Sequence, residues 1–336
     1  MPDDGDWSMT LATRRVALQT FAAATVVSTF APSGWTQSTY PARAVRVIVP
    51  FPPGGGTDIF SRFIAQKLTE RLGQSFFVEN IAGAGGNLGT GQAAKAAADG
   101  YTILFAFSSF AVNPSLYAKV PYDPLKDFQP VTLAVSTPTV VIVHPSIPAN
   151  TLQELVEVVR KSPGKFTYAS GGFGTQAHLV GEQIRLAYDI DLAHVPFHGA
   201  GPSVASVVAG HTPIGLTSLA AGIEQIKGGQ VRALAVTSPR RAAELADVPT
   251  MAEVGQPSII GDSWVGVLVP AATPKAVVTI LHREIEAVMA LPDTRIRLAQ
   301  LGYEPIMSTS DAFARGIRSE TETWAKVIAA SNIKVQ

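Results

Sequence analysis

The sequence contains no cysteine, and this absence removes several kinds of chemistry. Without thiols, the 336-residue chain has no disulfide bond, no thiolate metal site, no iron–sulfur cluster and no cysteine nucleophile. Charged residues are also scarce, at 15%, and 26 basic residues balance 26 acidic ones. This neutrality argues against nucleic acid or an anionic membrane as a partner. With 46% apolar residues, the chain is long enough for about two domains with a sizeable core.

The first part of the chain is typical of an export signal. Arg14 and Arg15 precede an uncharged stretch, Val16–Tyr40, whose apolar part is too short for a confident membrane span. We therefore expect residues 1–38 to be an export signal and a disordered start, and the protein to act in the periplasm. The arginine pair favours the twin-arginine type of signal, and Met9 is an alternative start.

Strand, glycine loop and helix alternate along most of the remaining chain. Val45–Val49 is a short β-branched run before Pro50, and a helical periodicity follows the next loop. The same alternation restarts after residues 131–143, which indicates a second α/β unit. We expect two α/β domains joined by extended crossings near residues 137 and 262. The predicted boundaries are 41–138 with 265–336 for domain 1, and 139–264 for domain 2.

Catalytic and nucleotide-binding motifs are missing from these loops. The run from Gly83 to Leu88 has a leucine where a dinucleotide fingerprint needs its third glycine, and no lysine completes a P-loop. Ser170 lacks the preceding glycine of a nucleophile elbow. Pro196 separates His194 from His198 and excludes a helical metal motif between them. The sequence thus predicts no enzyme, no metal and no cofactor. The other histidines, which appear isolated in the sequence, are His144, His178, His211 and His282.

Glycine-rich loops recur in one position, after a predicted strand and before a predicted helix. In open α/β sheets, ligands lie beyond the carboxyl ends of the strands. Glycine lets backbone N–H groups approach an anion, and a helix N-terminus adds unsatisfied donors. Such loops can hold a carboxylate without lysine or arginine, although any one of them can also be a tight turn or cap. The loops are Pro52–Asp58, Gly83–Asn87, Ser170–Thr175 and His198–Ser203, and Ser108 and Ser109 follow another strand.

Short stretches spread over the chain form one combined pattern. They are Val49–Asp58, Asn80 with Gly83–Gly89, Asp99–Thr102, Tyr168–Gly171, His178–Leu179, Val195–Phe197, Gly199–Pro202, Gly229–Thr237, Asp247–Thr250, and Trp264 with Gly266. With them the chain resembles, over residues 42–330, the periplasmic solute-binding proteins of the tripartite tricarboxylate transporter system, the Bug family. The resemblance implies an α/β fold of the periplasmic-binding-protein type II, or Venus flytrap. Two α/β domains, joined by two crossover strands, would close on a small organic carboxylate.

The same resemblance implies a site and partners. In this family, backbone groups and ordered water from the first glycine loop and its counterpart in the second domain hold the carboxylate. That role falls on Phe51, Gly55, Gly56, Thr57, Asp58, Gly171, Gly172, Gly174 and Thr175. Asp58 is expected to cap the helix and orient the loop. The ligand would pass to membrane permease subunits, and we expect the receptor to be a monomer.

Other side chains at the loops narrow the ligand only a little. Ser108, Ser109, Gln176 and His198 are candidates for binding a distal polar group. Two departures from the family pattern, at Asn80–Ala82 and Phe197–Gly199, prevent the transfer of any particular substrate. A dicarboxylate and an aromatic acid both fit. The aromatic residues that would form a pocket wall, or else the core, are Phe51, Phe107, Phe110, Phe173 and Phe197.

Two other functions remain open from the sequence. The same binding fold would serve a ligand sensor that signals to a membrane partner. A hydrolase on an α/β scaffold would need a nucleophile–base pair, and the sequence shows none.

Overall fold

The computed structural model describes residues 40–259 and 261–331, so the predicted export signal and its arginine pair lie outside the described residues. Strands and helices alternate through the described part. The strands are β1 (Val45–Val49), β2 (Phe76–Asn80), β3 (Thr102–Phe107), β4 (Phe128–Thr137), β5 (Thr139–Val143), β6 (Thr167–Ser170), β7 (Ala193–Pro196), β8 (Ile214–Ser218), β9 (Arg232–Val236), β10 (Ser263–Pro270) and β11 (Glu304–Pro305). The helices are α1 (Gly56–Leu72), α2 (Asn87–Ala94), α3 (Ser109–Leu116), α4 (Leu152–Arg160), α5 (Gln176–Ala187), α6 (Ala200–Val208), α7 (Leu219–Lys227), α8 (Lys275–Met289), α9 (Pro292–Gln300) and α10 (Ser310–Ser331).

The strands form two sheets with the same internal order. The first sheet runs β11-β4-β10-β3-β1-β2, and the second runs β7-β6-β8-β5-β9. In each sheet, three neighbouring strands are parallel: β2, β1 and β3 in the first, and β7, β6 and β8 in the second. Each sheet also contains an antiparallel strand in its interior: β10 lies between β3 and β4, and β5 lies between β8 and β9. The short edge strand β11 also pairs antiparallel with β4. The chain enters β10 and β5 directly after crossing from the other sheet.

The two crossings lie side by side. Pro138 separates β4 from β5, where its missing N–H interrupts the ladder. The hydroxyl of Thr139 donates to the carbonyl oxygen of Gly261 at 2.7 Å, which joins the outgoing and returning crossings. The Thr237 hydroxyl adds a 2.8 Å bond to Asp262. The connections between the sheets are thus tied to each other.

Helices bury apolar stripes against both sheets. On α1, Phe60, Ile64 and Leu68 recur every four residues and are fully buried in one cluster with Val47 of β1. Burial of each such side chain stabilises the fold by roughly 1.5–3 kcal/mol. None of the helices in the described part combines the length and apolar composition needed to cross a membrane.

No local sequence pattern predicts α3 and α7. Helix α3 contains Pro114, which cannot donate to the carbonyl oxygen of Phe110; the hydroxyl of Tyr122 donates to that oxygen instead, at 3.1 Å. Helix α7 follows β8 without a glycine loop, so no local signal separates strand from helix. In both places, tertiary contacts supply what the local sequence does not show.

Candidate functional site

The glycine loops meet in one cleft, lined by both halves of the fold. All four predicted loops lie between a strand and a helix, after β1, β2, β6 and β7. Because these strands are parallel to their neighbours, their carboxyl ends lie at the same edge of each sheet. The cleft consists of two chambers that share the side chains of Phe51 and Pro52 and the backbone of Gly171.

The inner chamber is small, and none of the described residues that line it has an ionisable side chain. Its volume of about 40 Å³ has room for a carboxylate group or a few waters. Hydroxyl groups and backbone supply its polar surface. Its lining is Phe51, Pro52, Gly55, Gly56, Thr57, Phe107, Gly171, Thr175, Ala177, Ala200, Thr217, Ser218 and Ser263.

Three helices begin at the inner chamber with amides that have no partner. No side chain caps α1 at Gly55, and within the described residues the N–H groups of Gly56 and Thr57 donate to no acceptor. Helix α6 likewise begins without a side-chain cap at Gly199. Thr175 caps only the third amide of α5, that of His178. Converging helix N-termini give the inner chamber a positive potential without a cationic side chain.

Unpaired hydroxyls add to this polarity. Thr217 is 1% exposed, and its Oγ1 has no hydrogen-bond partner in the described structure, although the residue lines the inner chamber. The buried hydroxyl of Tyr303 is also unpaired; a Cβ on Gly56 would lie 2.7 Å from it. Glycine at position 56 therefore keeps the start of α1 close to Tyr303. A buried hydroxyl without a partner is costly, which favours a ligand or water beside Thr217.

The outer chamber is larger, and its described lining consists mainly of four phenylalanine or tyrosine rings and five glycines. It has a volume of about 270 Å³. Opposite its rings lies the loop Gly83–Gly86, where a Cβ on Gly86 would be 3.3 Å from Cζ of Phe51. Glycine therefore leaves the chamber open. The lining is Phe51, Pro52, Gly83, Ala84, Gly85, Gly86, Tyr117, Gly171, Gly172, Phe173, Pro196, Phe197 and His198.

Asp58 holds the first glycine loop in place. Its side chain is nearly fully buried and accepts a hydrogen bond from the N–H of Gly54 at 3.0 Å. Asn80 donates to Asp58 at 2.8 Å and to the carbonyl oxygen of Phe51 at 2.9 Å. Arg62, one turn further along α1, pairs with the same carboxylate at 3.0 Å. Asp58 orients the loop from behind and does not line either chamber.

Uncharged groups hold the loop that begins at Ser170. The hydroxyl of Ser170 lies 2.7 Å from Nε2 of His194 and accepts from the N–H of Gly172 at 3.1 Å. The ring of His194 stacks on that of His178, with centroids 4.3 Å apart. Burial lowers the pKa of His178 to about 4, against a weaker opposite effect of Glu182. Burial and then His178 lower the pKa of His194 to about 3, so both rings are neutral at pH 7.

This cluster corrects two expectations from the sequence. His178 is not isolated, and a serine–histidine pair does exist. However, Ser170 is 0% exposed, and within the described structure Nδ1 of His194 has no partner that could orient the ring as a base. The Ser170–His194 pair shapes the loop and lacks the features of a nucleophile with its base.

Ten of the fifteen residues that the sequence predicts for the site line one of the two chambers, and the other five line neither. Besides Asp58, these are Ser108, Ser109, Gly174 and Gln176. Ser108 is fully buried and its hydroxyl has no partner in the described part, whereas Ser109 donates to the carbonyl oxygen of Gly85 at 3.2 Å. Gly174 lies against α3, where its Cβ would be 2.3 Å from Oδ1 of Asn113.

Gln176 connects α5 to the last helix. Its amide donates to Glu320 of α10 at 3.3 Å, and the indole N–H groups of Trp264 and Trp324 donate to the same carboxyl group at 2.7 and 3.4 Å. Burial raises the pKa of Glu320 to about 7, although the two tryptophans act in the opposite direction. This bond joins the two halves of the fold outside the ligand chambers.

Sequence reasoning missed several lining residues, above all Thr217 and Ser218. They end β8, a parallel strand, and thus occupy the kind of position that identified the glycine loops. The missing glycine after β8 concealed them. Phe110, expected to be either wall or core, is core: it stacks on Tyr122 with centroids 5.4 Å apart and is 2% exposed.

The two halves touch across the cleft, which is closed in this structure. A Cβ on Gly199 would lie 2.9 Å from Cδ of Pro52 on the opposite side. Beside the chambers, Leu179 of α5 joins an apolar cluster with Val112 and Leu116 of α3 and Ile328 of α10. Apolar burial thus adds to the contact between the halves.

Comparison with known proteins connects this site to one family. The family model described as the tripartite tricarboxylate transporter family receptor matches residues 60–333. Protein BugT of Bordetella pertussis (strain Tohama I) is 36% identical over 300 residues, which cover 89% of this chain and 92% of BugT.

Solved structures agree with this assignment. The structure of periplasmic binding protein BugD is 34% identical, with a TM-score of 0.84, and the match covers 88% of this chain and all of BugD. R. palustris Rpa4515 with adipate is 31% identical, with a TM-score of 0.85, covering 88% of this chain and 99% of that one. The expected periplasmic-binding-protein type II fold is therefore confirmed, and these relatives are solute-binding proteins. The chain belongs to the tripartite tricarboxylate transporter receptors, the Bug family.

Proposed function

We propose that this protein is a periplasmic receptor that captures a small organic carboxylate in the closed cleft. The observation that carries the proposal is the convergence of unpaired amides at the starts of α1, α5 and α6 on one chamber without a charged side chain. Rpa4515, which shares this fold, was solved with adipate, a carboxylate. The geometry and this relative point to the same class of ligand.

Backbone donors at these helix starts are sufficient for useful affinity. A hydrogen bond to a charged group contributes about 1.5–3 kcal/mol. Three or four such bonds, less the cost of association, give a binding free energy near −8 kcal/mol, or roughly micromolar affinity. In this proposal, Gly56, Thr57 and Ala177 donate through their backbones and Thr217 through its hydroxyl.

The proposal extends to the cellular role, which membership of the family supports. We assign residues 1–38 to an export signal of the twin-arginine type, and delivery of the ligand to the permease subunits of a tripartite transporter. The receptor acts as a monomer. Residues 41–138 with 265–336 form one domain and residues 139–264 the other, and the paired crossings at Pro138 and Gly261 serve as the hinge for closure.

A thermal-shift screen tests the ligand class. Mono-, di- and tricarboxylates, amino acids and neutral sugars are compared at equal concentrations with the exported chain. A carboxylate at 100 times its Kd stabilises the protein by about 2.7 kcal/mol, which raises Tm by roughly 5 °C or more.

Two variants make the screen specific to the inner chamber. Thr217→Val removes the unpaired hydroxyl at nearly constant volume and should weaken binding of every carboxylate about tenfold. Thr279→Val, on the exposed side of α8, is the matched control. If only neutral sugars or cations raised Tm, the proposed carboxylate function would be wrong.

A further inference from the structure

The two chambers suit different parts of a ligand: its carboxylate, called the head below, and the rest of its molecule, called the body. The inner chamber, at about 40 Å³, is the smaller of the two and has the helix starts at its wall, which suits a carboxylate group. The adjoining outer chamber has about 270 Å³ and shares Phe51, Pro52 and Gly171 with the inner one. A bound carboxylate in the inner chamber therefore directs the rest of its molecule into the outer chamber.

The outer chamber offers rings to this body. Phe51, Tyr117, Phe173 and Phe197 line it together with Pro52 and Pro196. Burial raises the pKa of Tyr117, so its hydroxyl is neutral and adds no charge. Aromatic side chains bind planar apolar groups through offset-stacked and edge-to-face contacts, at centroid distances of roughly 4.5–7 Å.

A second carboxylate would find few partners in this chamber. Among the described residues, no lysine or arginine lines it, and its one imidazole, that of His198, is exposed at the mouth. In the glycine loop opposite the rings, the amides that lead into α2 are paired, whereas those of Ala84 and Gly85 donate to no acceptor in the described part. The N–H groups of Gly86 and Leu88 donate to the carbonyl oxygen of Gly83, and that of Asn87 donates to Ala84. In this respect the loop differs from the starts of α1 and α6.

We propose that the cleft selects aromatic monocarboxylates over aliphatic dicarboxylates. The carboxylate occupies the inner chamber and the ring occupies the outer one, between Phe51, Phe173 and Phe197 and the loop Gly83–Gly86. His198 at the mouth is placed to hydrogen-bond a polar substituent on the ring. This inference rests on the proposed function and names its ligand class.

Isothermal titration calorimetry with four probes tests the inference. Benzoate and 4-hydroxybenzoate represent the aromatic class, cyclohexanecarboxylate keeps the shape and apolar area without the π-system, and adipate represents the dicarboxylates. We expect benzoate to bind at least tenfold more tightly than adipate, and more tightly than cyclohexanecarboxylate. His198→Ala should weaken 4-hydroxybenzoate binding more than benzoate binding.

Variants of Phe197 separate the contribution of the ligand's ring to affinity from that of its carboxylate. Phe197→Leu keeps an apolar core contact and should weaken benzoate about tenfold while changing adipate less than threefold. Phe77→Leu, at an exposed position of strand β2, is the matched control and should leave both affinities unchanged. Phe197→Ala removes more of the wall and should have a larger effect on benzoate binding. If that variant does not fold, Phe197→Leu still gives the comparison of benzoate with adipate.

The outcomes distinguish this inference from the proposed function. Tighter binding of adipate than of benzoate would overturn the aromatic preference while leaving a carboxylate receptor in place. Equal loss of both affinities in Phe197→Leu would also overturn it. Failure of all four probes and of every carboxylate in the thermal-shift screen would refute the proposed function itself.

Discussion

Two glycine loops line the inner chamber, and they are held in place by opposite means. The loop that opens α1 depends on a buried charge, Asp58, which binds Gly54, Asn80 and Arg62. The loop after β6 depends on neutral groups, the Ser170 hydroxyl and two stacked imidazoles. With either arrangement, the first amides of the following helix donate to no acceptor in the described structure. The responses of the two loops to substitution and pH should therefore differ.

The largest effect should come from removing the buried charge. Asp58→Ala deletes the acceptor of three hydrogen bonds and leaves the Gly54 amide without its partner. We expect the free energy of unfolding, measured in urea, to fall by about 3 kcal/mol. Asp58→Asn should fall between this variant and the natural chain. Asp311→Ala, exposed at the start of α10, is the control, and an equal small effect of both alanine variants would contradict the assigned role.

The second loop should respond to acid. The folded chain depresses the pKa of His178 from 6.5 to about 4 and that of His194 to about 3, so the unfolded chain binds more protons. The stability that this provides is present above pH 6.5 and is lost as pH falls toward 4. For His178 alone it is on the order of 3 kcal/mol.

Denaturant unfolding between pH 8 and 4 measures this loss. His178→Gln and His194→Gln should each flatten the profile, whereas His211→Gln, at an exposed position, should not. Glu320, with its raised pKa, acts with the opposite sign: its contribution is present at low pH and is lost as pH rises toward 7. The contribution of Glu320 is the same in each histidine variant and in the natural chain, so it cancels when their pH profiles are compared. An unchanged slope in both histidine variants would show that the pair does not stabilise the loop.

The smallest effect should come from matched glycine substitutions. Gly172 has φ +119°, which an alanine rarely adopts. A Cβ at this position would also lie 2.9 Å from the carbonyl oxygen of Phe197, so Gly172→Ala adds both backbone strain and a steric clash. Gly55 has φ −80° and open space around a Cβ. We expect losses of about 2 kcal/mol for Gly172→Ala and below about 1 kcal/mol for Gly55→Ala, measured by urea unfolding. A larger loss of stability for Gly55→Ala than for Gly172→Ala would show that the backbone of the first loop is the more constrained of the two.

Local patterns were sufficient to predict most elements and the loops. Thr151 followed three residues later by Glu154 is a local pattern typical of a helix start, and the Thr151 hydroxyl accepts from the N–H of Glu154 at 3.1 Å. Glu154 reaches back to the amide of Asn150 rather than to that of Thr151. Helix α3 was missed because its compensation for Pro114 comes from Tyr122, a residue beyond the helix. Local signals thus fail where a distant side chain supplies the missing hydrogen bond.

The sequence by itself determined the alternation of strands and helices, the lack of thiol chemistry and the position of each glycine loop before a helix. These features depend on neighbouring residues and on composition. Tertiary structure decided which of them share a site. It placed Thr217 beside Gly56 in the inner chamber's lining, His178 against His194, and Phe110 in the core. The physical reason is that each sheet pairs strands that are not consecutive in the chain and takes an interior strand from the crossing chain, so residues far apart in sequence become neighbours.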